Sequence, residues 1–161
     1  MSENYQKTVY EAVKLEGVGL HSGTQSKINI LPGKEDQGII FKRVDLKENN
    51  FVEAKYENVT SARLCTTLEN KFGVKVSTVE HLMAALYILE IDNAFIEIDN
   101  EEVPIMDGSA IDFLNAIKKV KLKILPKKRK CIKITKKFEL IDGERKISIE
   151  PNEDYLEVDF Q

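Results

Sequence analysis

Hydrophobic and polar residues alternate along the first part of the chain, and this pattern predicts β-strands. In residues 26–31 the apolar Ile28 and Ile30 alternate with polar side chains, and Pro32-Gly33 ends the run. The same period of two recurs in residues 38–44 and 51–56. Residues 64–68 and 74–76 flank turn-forming residues at 70–73 and predict a hairpin.

The period changes to that of a helix near Thr78. Val79, Leu82, Met83 and Leu86 follow the spacing i, i+3, i+4, i+7, which places them on one helical face. Residues 94–98 then alternate again and predict a further strand.

A second helix is predicted from about Ala110. Ala110, Phe113, Leu114 and Ile117 lie on one face, and Ser109 is the expected cap, with Asp112 three residues later. We expect both helices to lie on the same face of a sheet.

The stretch from residue 118 to residue 137 is strongly basic: 11 of its 20 residues are Lys or Arg and none is acidic. It is interpreted either as a nucleic-acid or membrane patch, or as a solvated helix end followed by a linker around Pro126. Lysines are favourable at a helix C-terminus and no aromatic residue interrupts them, so a domain junction is preferred. We therefore divide the chain into a first domain (1–125), a linker (126–130) and an incomplete second domain (131–161).

A short sequence pattern recurs beyond this junction. Residues 27–32 (KINILP) resemble residues 146–151 (KISIEP), at an offset of 119 residues from Lys27 to Lys146. If this is a repeat, its second copy has strands but neither helix before Gln161. We therefore expect the chain to be a fragment that ends inside a second domain.

Composition excludes several classes of function. The net charge of -3 argues against a dedicated nucleic-acid binder, and no apolar run approaches the roughly 20 residues of a membrane helix. The polar, acidic start does not resemble a secretory signal. Cys65 and Cys131 lie far apart and match no C-x-x-C pattern, so a disulfide framework is not expected. We expect a cytoplasmic protein.

Residues 77–82 (STVEHL) contain the most informative chemistry. Ser77 and Glu80 have the spacing of a capping box, which would give Glu80 only a structural role, and this interpretation is favoured by the pattern alone. Alternatively, His81 binds a metal as neutral imidazole while Glu80 accepts a proton from water in metal-assisted hydrolysis. Catalytic zinc usually has three protein ligands, and the sequence has only two histidines, His21 and His81.

Four separated motifs carry a resemblance to a known family. They are residues 17–23 (GVGLHSG), 64–66 (LCT), 77–82 (STVEHL) and 104–110 (PIMDGSA). In order and spacing they resemble the UDP-3-O-acyl-N-acetylglucosamine deacetylases, the zinc amidases of lipid A biosynthesis in Gram-negative bacteria. The resemblance extends from about Gln6 to the end of the chain and outweighs the capping-box interpretation.

The resemblance implies a fold and a reaction. The fold is α+β: a two-layer domain of a mainly antiparallel sheet packed against two helices, followed here by the opening strands of a second, similar domain. The reaction is hydrolysis of the 2-acetamide of UDP-3-O-acyl-N-acetylglucosamine, which releases acetate. Glu80 takes the role of general base and His81 that of a Zn2+ ligand, while the remaining zinc ligands lie beyond Gln161.

Other residues are weaker candidates for the site. The resemblance places Cys65 and His21 along the active site, although Cys65 is equally suited to a buried strand position and the glycines around His21 to a turn. Asp107 is either an orienting group or part of a turn, with the turn preferred. Arg145 and Lys146 are candidates for the substrate phosphates, with a solvated hairpin preferred.

Expectations for the chain alone follow from these assignments. It should be inactive, bind zinc weakly or not at all, and either self-associate through residues 131–160 or be disordered there, because a truncated sheet leaves strand edges unpaired. The alternatives are a non-catalytic α+β binding module that uses the basic stretch 118–137, and an inactive natural truncation product.

Overall fold

The structure, a computed structural model, describes residues 5–152 and 157–159. The chain divides into two compact units, Met1–Arg129 and Lys130–Gln161. Within the described residues, no helix has the length and apolar character needed to cross a membrane.

The described residues form twelve strands, two α-helices and one 3-10 turn. They are β1 (Tyr5–Val9), β2 (Val13–Val18), β3 (Gln25–Pro32), β4 (Ile39–Arg43), β5 (Phe51–Glu53), a 3-10 turn (Tyr56–Asn58), β6 (Val59–Ser61), β7 (Thr67–Glu69), β8 (Lys75–Ser77), α1 (Glu80–Ile88), β9 (Ala94–Ile98), α2 (Ile111–Lys118), β10 (Leu122–Lys128), β11 (Phe138–Asp142) and β12 (Arg145–Ile149).

The largest sheet of the first unit has five strands in the order β2-β3-β9-β4-β5, and only the β4–β9 pair is parallel. In its centre Ile28 lies opposite Ile98, Ile30 lies opposite Ile96, and Phe41 pairs with Ile96. These side chains are all buried on one face, because successive strand residues point to opposite faces.

Both helices cover this buried face. Leu82 and Leu86 of α1, and Phe113 and Ile117 of α2, belong to the same hydrophobic core cluster as the inward residues of the sheet. The outward residue Phe95 does not belong to it. The predicted α+β arrangement, with two helices on one face of a mainly antiparallel sheet, is confirmed.

The predicted helix starts are correct to within two residues, but neither the alternative cap Ser77 nor the expected cap Ser109 immediately precedes its helix. Ser77 ends β8, and α1 begins after Val79 without any side-chain cap. Ala110, rather than Ser109, precedes α2, although the Ser109 hydroxyl accepts a hydrogen bond from the Ile111 N–H at 3.1 Å. A capping spacing alone does not define a cap when the chain enters the helix from a strand.

The predicted hairpin is present and forms a small sheet with β6. Strands β7 and β8 pair antiparallel, and Leu68 lies opposite Val76. Asn70 closes the turn, since its side-chain oxygen accepts from the backbone N–H groups of Phe72 and Val74. This hairpin ends two residues before α1 and so directs the chain into that helix.

The basic stretch contains a strand that the pattern did not indicate. Strand β10 pairs antiparallel with β1 and includes residues 126–128 of the proposed linker. The Lys127 ammonium forms an ion pair with Asp36, and Arg129 Nε lies 2.7 Å from Asp92 Oδ1. Part of this basic stretch is therefore engaged in intramolecular pairing.

The second unit contains the hairpin β11–β12. Phe138 lies opposite Ile149 and Leu140 opposite Ile147, so four apolar side chains share one face, and all four are exposed. Residues 146–149 of the repeated segment lie in β12, the second strand of this hairpin, as residues 27–32 lie in β3, the second strand of the β2–β3 hairpin. Residues 153–156 and 160, which belong to the predicted self-association segment, lie outside the described residues.

Candidate active site

Glu80 is the first residue of α1, and a neighbouring loop holds its carboxylate. The backbone N–H of Thr66, just before β7, donates to Glu80 Oε1, and the Thr78 N–H donates to the Thr66 carbonyl at 3.1 Å. The other oxygen, Oε2, is buried and has no hydrogen-bond partner among the described residues. A buried carboxylate oxygen without a partner is unusual in proteins, and a catalytic role is one of the explanations for such an atom.

His81 follows Glu80 and is half-buried. Its Nδ1 atom is also buried and lacks a hydrogen-bond partner within the described part of the chain. Hydrogen bonds from the Ser109 N–H and hydroxyl lower the pKa of Asp107, and an electrostatic interaction with His81 lowers it further. The 104–110 motif is therefore brought close to His81.

Three residues around this region adopt the left-handed backbone conformation. Leu64 (φ 69°), Thr78 (φ 57°) and Met106 (φ 55°) each lie within two residues before Cys65, Glu80 or Asp107. Positive φ is rare in side chains other than Gly, Asn and Asp, and it is a clear outlier for the β-branched Thr78. Such backbone persists only where its surroundings fix it, and it concentrates at functional sites.

Glu102 links the Gly-rich loop to the entrance of α1. Its carboxylate is buried and accepts hydrogen bonds from the His21 N–H (2.9 Å), the Ser22 N–H (2.8 Å) and the Thr78 hydroxyl (2.9 Å). Burial alone would raise the pKa of Glu102, but the hydrogen bonds from His21, Ser22 and Thr78 outweigh it and lower that pKa to about 2.

Sequence reasoning missed Glu102. It follows Glu101 in a short acidic pair that resembles a solvated turn, and its partners lie up to 81 residues away along the chain. The structure shows why it is buried: the Glu101–Val103 segment pairs with Ser77 at the end of β8.

The structure brings Cys65 and the loop of His21 toward this region. Cys65 is a half-buried free thiol that immediately precedes Thr66, the residue bonded to Glu80. The side chain of His21 is exposed, while its backbone is held by Glu102.

Arg145 and Lys146 belong to the second unit. Both are exposed in β12, and Lys146 Nζ lies 2.6 Å from Glu139 Oε2. Arg145 is paired in register with Asp142.

A metal site requires several ligands at one point. The described residues contain no group of three or more His, Cys, Asp or Glu side chains that could hold a metal ion. The unpartnered Nδ1 of His81 fits the role of one zinc ligand, and the described residues do not complete the set.

Comparison with known proteins shows the family of the chain. The family model for UDP-3-O-acyl N-acetylglycosamine deacetylase (LpxC) matches residues 6–161, so the chain belongs to this family. A UDP-3-O-acyl-N-acetylglucosamine deacetylase from Geotalea uraniireducens (strain Rf4) is 42% identical over 151 residues, covering 94% of the chain and 49% of that relative. The proteins of the same name from Shewanella violacea and Shewanella frigidimarina are 40% and 41% identical and cover 97% and 98% of the chain.

The chain spans about half the length of the curated relatives it matches: 49% of the Geotalea relative and 51% of each Shewanella relative.

Proposed function

We propose that this chain is the amino-terminal part of a zinc-dependent, cytoplasmic deacetylase of lipid A biosynthesis. Its substrate is UDP-3-O-acyl-N-acetylglucosamine, the compound in the relatives' names, and the reaction removes the 2-acetyl group as acetate. The observation that carries the proposal is the carboxylate of Glu80, fixed through Oε1 by the Thr66 N–H and left without a partner at its buried Oε2.

Glu80 acts as the general base. The Thr66 N–H orients the carboxylate from outside the helix, so Oε2 is the atom available to accept a proton from the attacking water. The Thr66 N–H already fixes Oε1 of the Glu80 carboxylate. Little orientational freedom is therefore lost when Oε2 accepts a proton, which favours proton transfer from a positioned water.

His81 provides one zinc ligand through its imidazole. When bound, zinc polarises the amide carbonyl and makes water easier to deprotonate. His81 acts electrostatically on the Asp107 carboxylate, so Asp107 is a candidate for orienting the imidazole. The resemblance assigns the other ligands to the second half of the complete relatives.

The alternative of a binding module based on the basic stretch 118–137 has less support. Lys127 pairs with Asp36, and Arg129 pairs with Asp92 and Glu90, so these cations are partly neutralised. Nucleic-acid binding relies on cations that are available to phosphates.

The proposed function can be tested by completing the chain. We would fuse it to the second half of the Geotalea uraniireducens relative and measure acetate release from the sugar nucleotide, with zinc removed by a chelator and then restored. Each half assayed alone is the control. Zinc-dependent release by the fused protein is expected, whereas a folded, zinc-loaded fusion without release would contradict the proposal.

A further inference from the structure

We propose that Glu102 is a positioning residue of this site, which holds both the His21 loop and the entrance of α1 in place for Glu80 to act. The inference rests on the proposed function and adds a residue to it. Glu102 is 2% exposed, and its carboxylate is bound by the His21 N–H, the Ser22 N–H and the Thr78 hydroxyl. It acts through the segments that it joins.

The first segment is the Gly-rich loop. Glu102 accepts from two consecutive backbone N–H groups, those of His21 and Ser22, at 2.9 and 2.8 Å. A carboxylate that binds consecutive backbone donors fixes the local backbone as well as its own side chain. The loop also closes tightly on the carboxylate: a Cβ at Gly19 would lie 2.9 Å from Glu102 Cδ and closer still to Oε2 and to Ser22 Oγ.

The second segment is the turn into α1. The Thr78 hydroxyl donates to Glu102 Oε1 at 2.9 Å, and Thr78 has a φ of 57°. This conformation is unfavourable for a β-branched residue, so it needs to be held by the surrounding structure. Glu102 holds its side chain and the Thr66 carbonyl holds its N–H.

Together these contacts form one path to the base. Glu102 binds Thr78, Thr78 binds Thr66, and Thr66 binds Oε1 of Glu80. The backbone of Glu102 is itself fixed by the bridge between Ser77 and the Glu101–Val103 segment. If Glu102 were removed, Thr78 could relax toward an ordinary conformation and displace both Thr66 and Glu80.

The test compares Glu102→Gln with Glu101→Gln in the completed protein. The Gln side chain keeps the size of Glu102 but presents an amide to backbone donors, whereas Glu101 is the exposed carboxylate next to it. We expect Glu102→Gln to lower kcat by roughly tenfold to a hundredfold, the range for a small misplacement of catalytic groups, with KM changed by less than about threefold. Glu101→Gln should stay within about twofold of wild type. Assays are made well below the melting temperature of each variant, and zinc content is measured in each.

Amide hydrogen exchange on the 161-residue chain provides a second measurement that does not depend on activity. In Glu102→Gln we expect the amides of His21 and Ser22 to exchange at least about tenfold faster, while the amides of Ile30 and Ile96 in the central strands keep their protection. Faster exchange confined to the amides of His21 and Ser22, together with a fall in kcat, supports a positioning role for Glu102. Equal loss at Ile30 and Ile96 shows a general stability role and overturns the inference, as does a kcat equal to that of Glu101→Gln.

The two proposals fail differently. A completed wild-type protein that releases no acetate contradicts the proposed function, and the exchange measurement then decides whether Glu102 fixes the loop. An active wild-type protein with an unaffected Glu102→Gln variant contradicts only the role of Glu102.

Discussion

The backbone N–H of Thr66 donates to Oε1 of Glu80, which lies 14 residues further along the chain. The contact joins the start of β7 to the first turn of α1 and uses only one of the two carboxylate oxygens. Oε2 remains buried without a partner among the described residues. A helix cap would instead have reached back to the backbone at the start of its own helix.

Replacement of Glu80 by Gln should separate base catalysis from metal binding. In the completed protein we expect zinc content to be unchanged and turnover to fall by roughly two to four orders of magnitude, the range for loss of a general base. Steady-state acetate release and metal analysis provide the two measurements. Near-normal turnover would show that Glu80 has only a structural role. Glu97→Gln, on the outward face of β9, is a matched control and should leave turnover unchanged.

The repeating pattern of apolar residues predicted most of the first unit because burial itself has that period. Strand β9 is found at the predicted residues, and Leu82 and Leu86 face the core. The alternation of apolar and polar residues did not predict β10, because this mostly exposed strand is rich in lysine, and its pairing with β1 was therefore missed. Charged residues on an edge strand are compatible with pairing but remove the alternating signal.

The sequence predicted only those residues of the candidate site whose own side chains suggest a chemical role. Glu80 and His81 could be named because their residue types suggest a base and a ligand. Glu102 could not, because two of its three donors are backbone N–H groups that any sequence would supply. The positive φ of Thr78 was likewise hidden, since threonine does not favour it.

Gly19→Ala should test how tightly the loop closes on Glu102. The added Cβ would crowd Ser22 Oγ and the Glu102 carboxylate, so we expect a loss of about 1–3 kcal/mol in the free energy of unfolding measured with urea. Gly23→Asn is the control, because nothing lies within 4 Å of a Cβ there and Asn tolerates the left-handed conformation. A smaller loss from Gly19→Ala in a Glu102→Ala background would locate the crowding at this carboxylate, whereas equal losses in both backgrounds would exclude it.

The pH dependence of stability should contain a contribution from Glu102. Its pKa falls from 4.5 to about 2 on folding, so the ionised form stabilises the fold above about pH 5, and this stabilisation is lost as the pH falls toward 2. A shift of this size corresponds to roughly 3 kcal/mol as an upper estimate. Urea unfolding between pH 7 and pH 2.5 should show wild type and Glu102→Gln differing most near neutrality and converging at low pH. A difference that stayed constant with pH would show that the charge of Glu102 is not responsible.

The hairpin of the second unit should promote association of the chain. Phe138, Leu140, Ile147 and Ile149 share one exposed face, and exposed apolar strands pair with other chains. We expect sedimentation velocity to show concentration-dependent dimers or larger species, and Ile147→Lys to reduce them. Ser148→Lys, on the opposite face of β12, should leave them unchanged. A chain that is monomeric at all concentrations would contradict this prediction.

The 161-residue chain alone should bind zinc weakly and release no acetate. His81 supplies one ligand, and Cys65 or His21 would have to supply others, yet the described residues contain no group of three metal-binding side chains. A tight catalytic zinc site needs three placed ligands and a supporting shell of hydrogen bonds. Calorimetric titration with zinc, with His81→Ala as control, should therefore show binding weaker than roughly micromolar that is reduced further in the variant. One-to-one submicromolar binding with acetate release would mean that the ligands lie within this chain and that their assignment to the second half of the complete relatives is wrong.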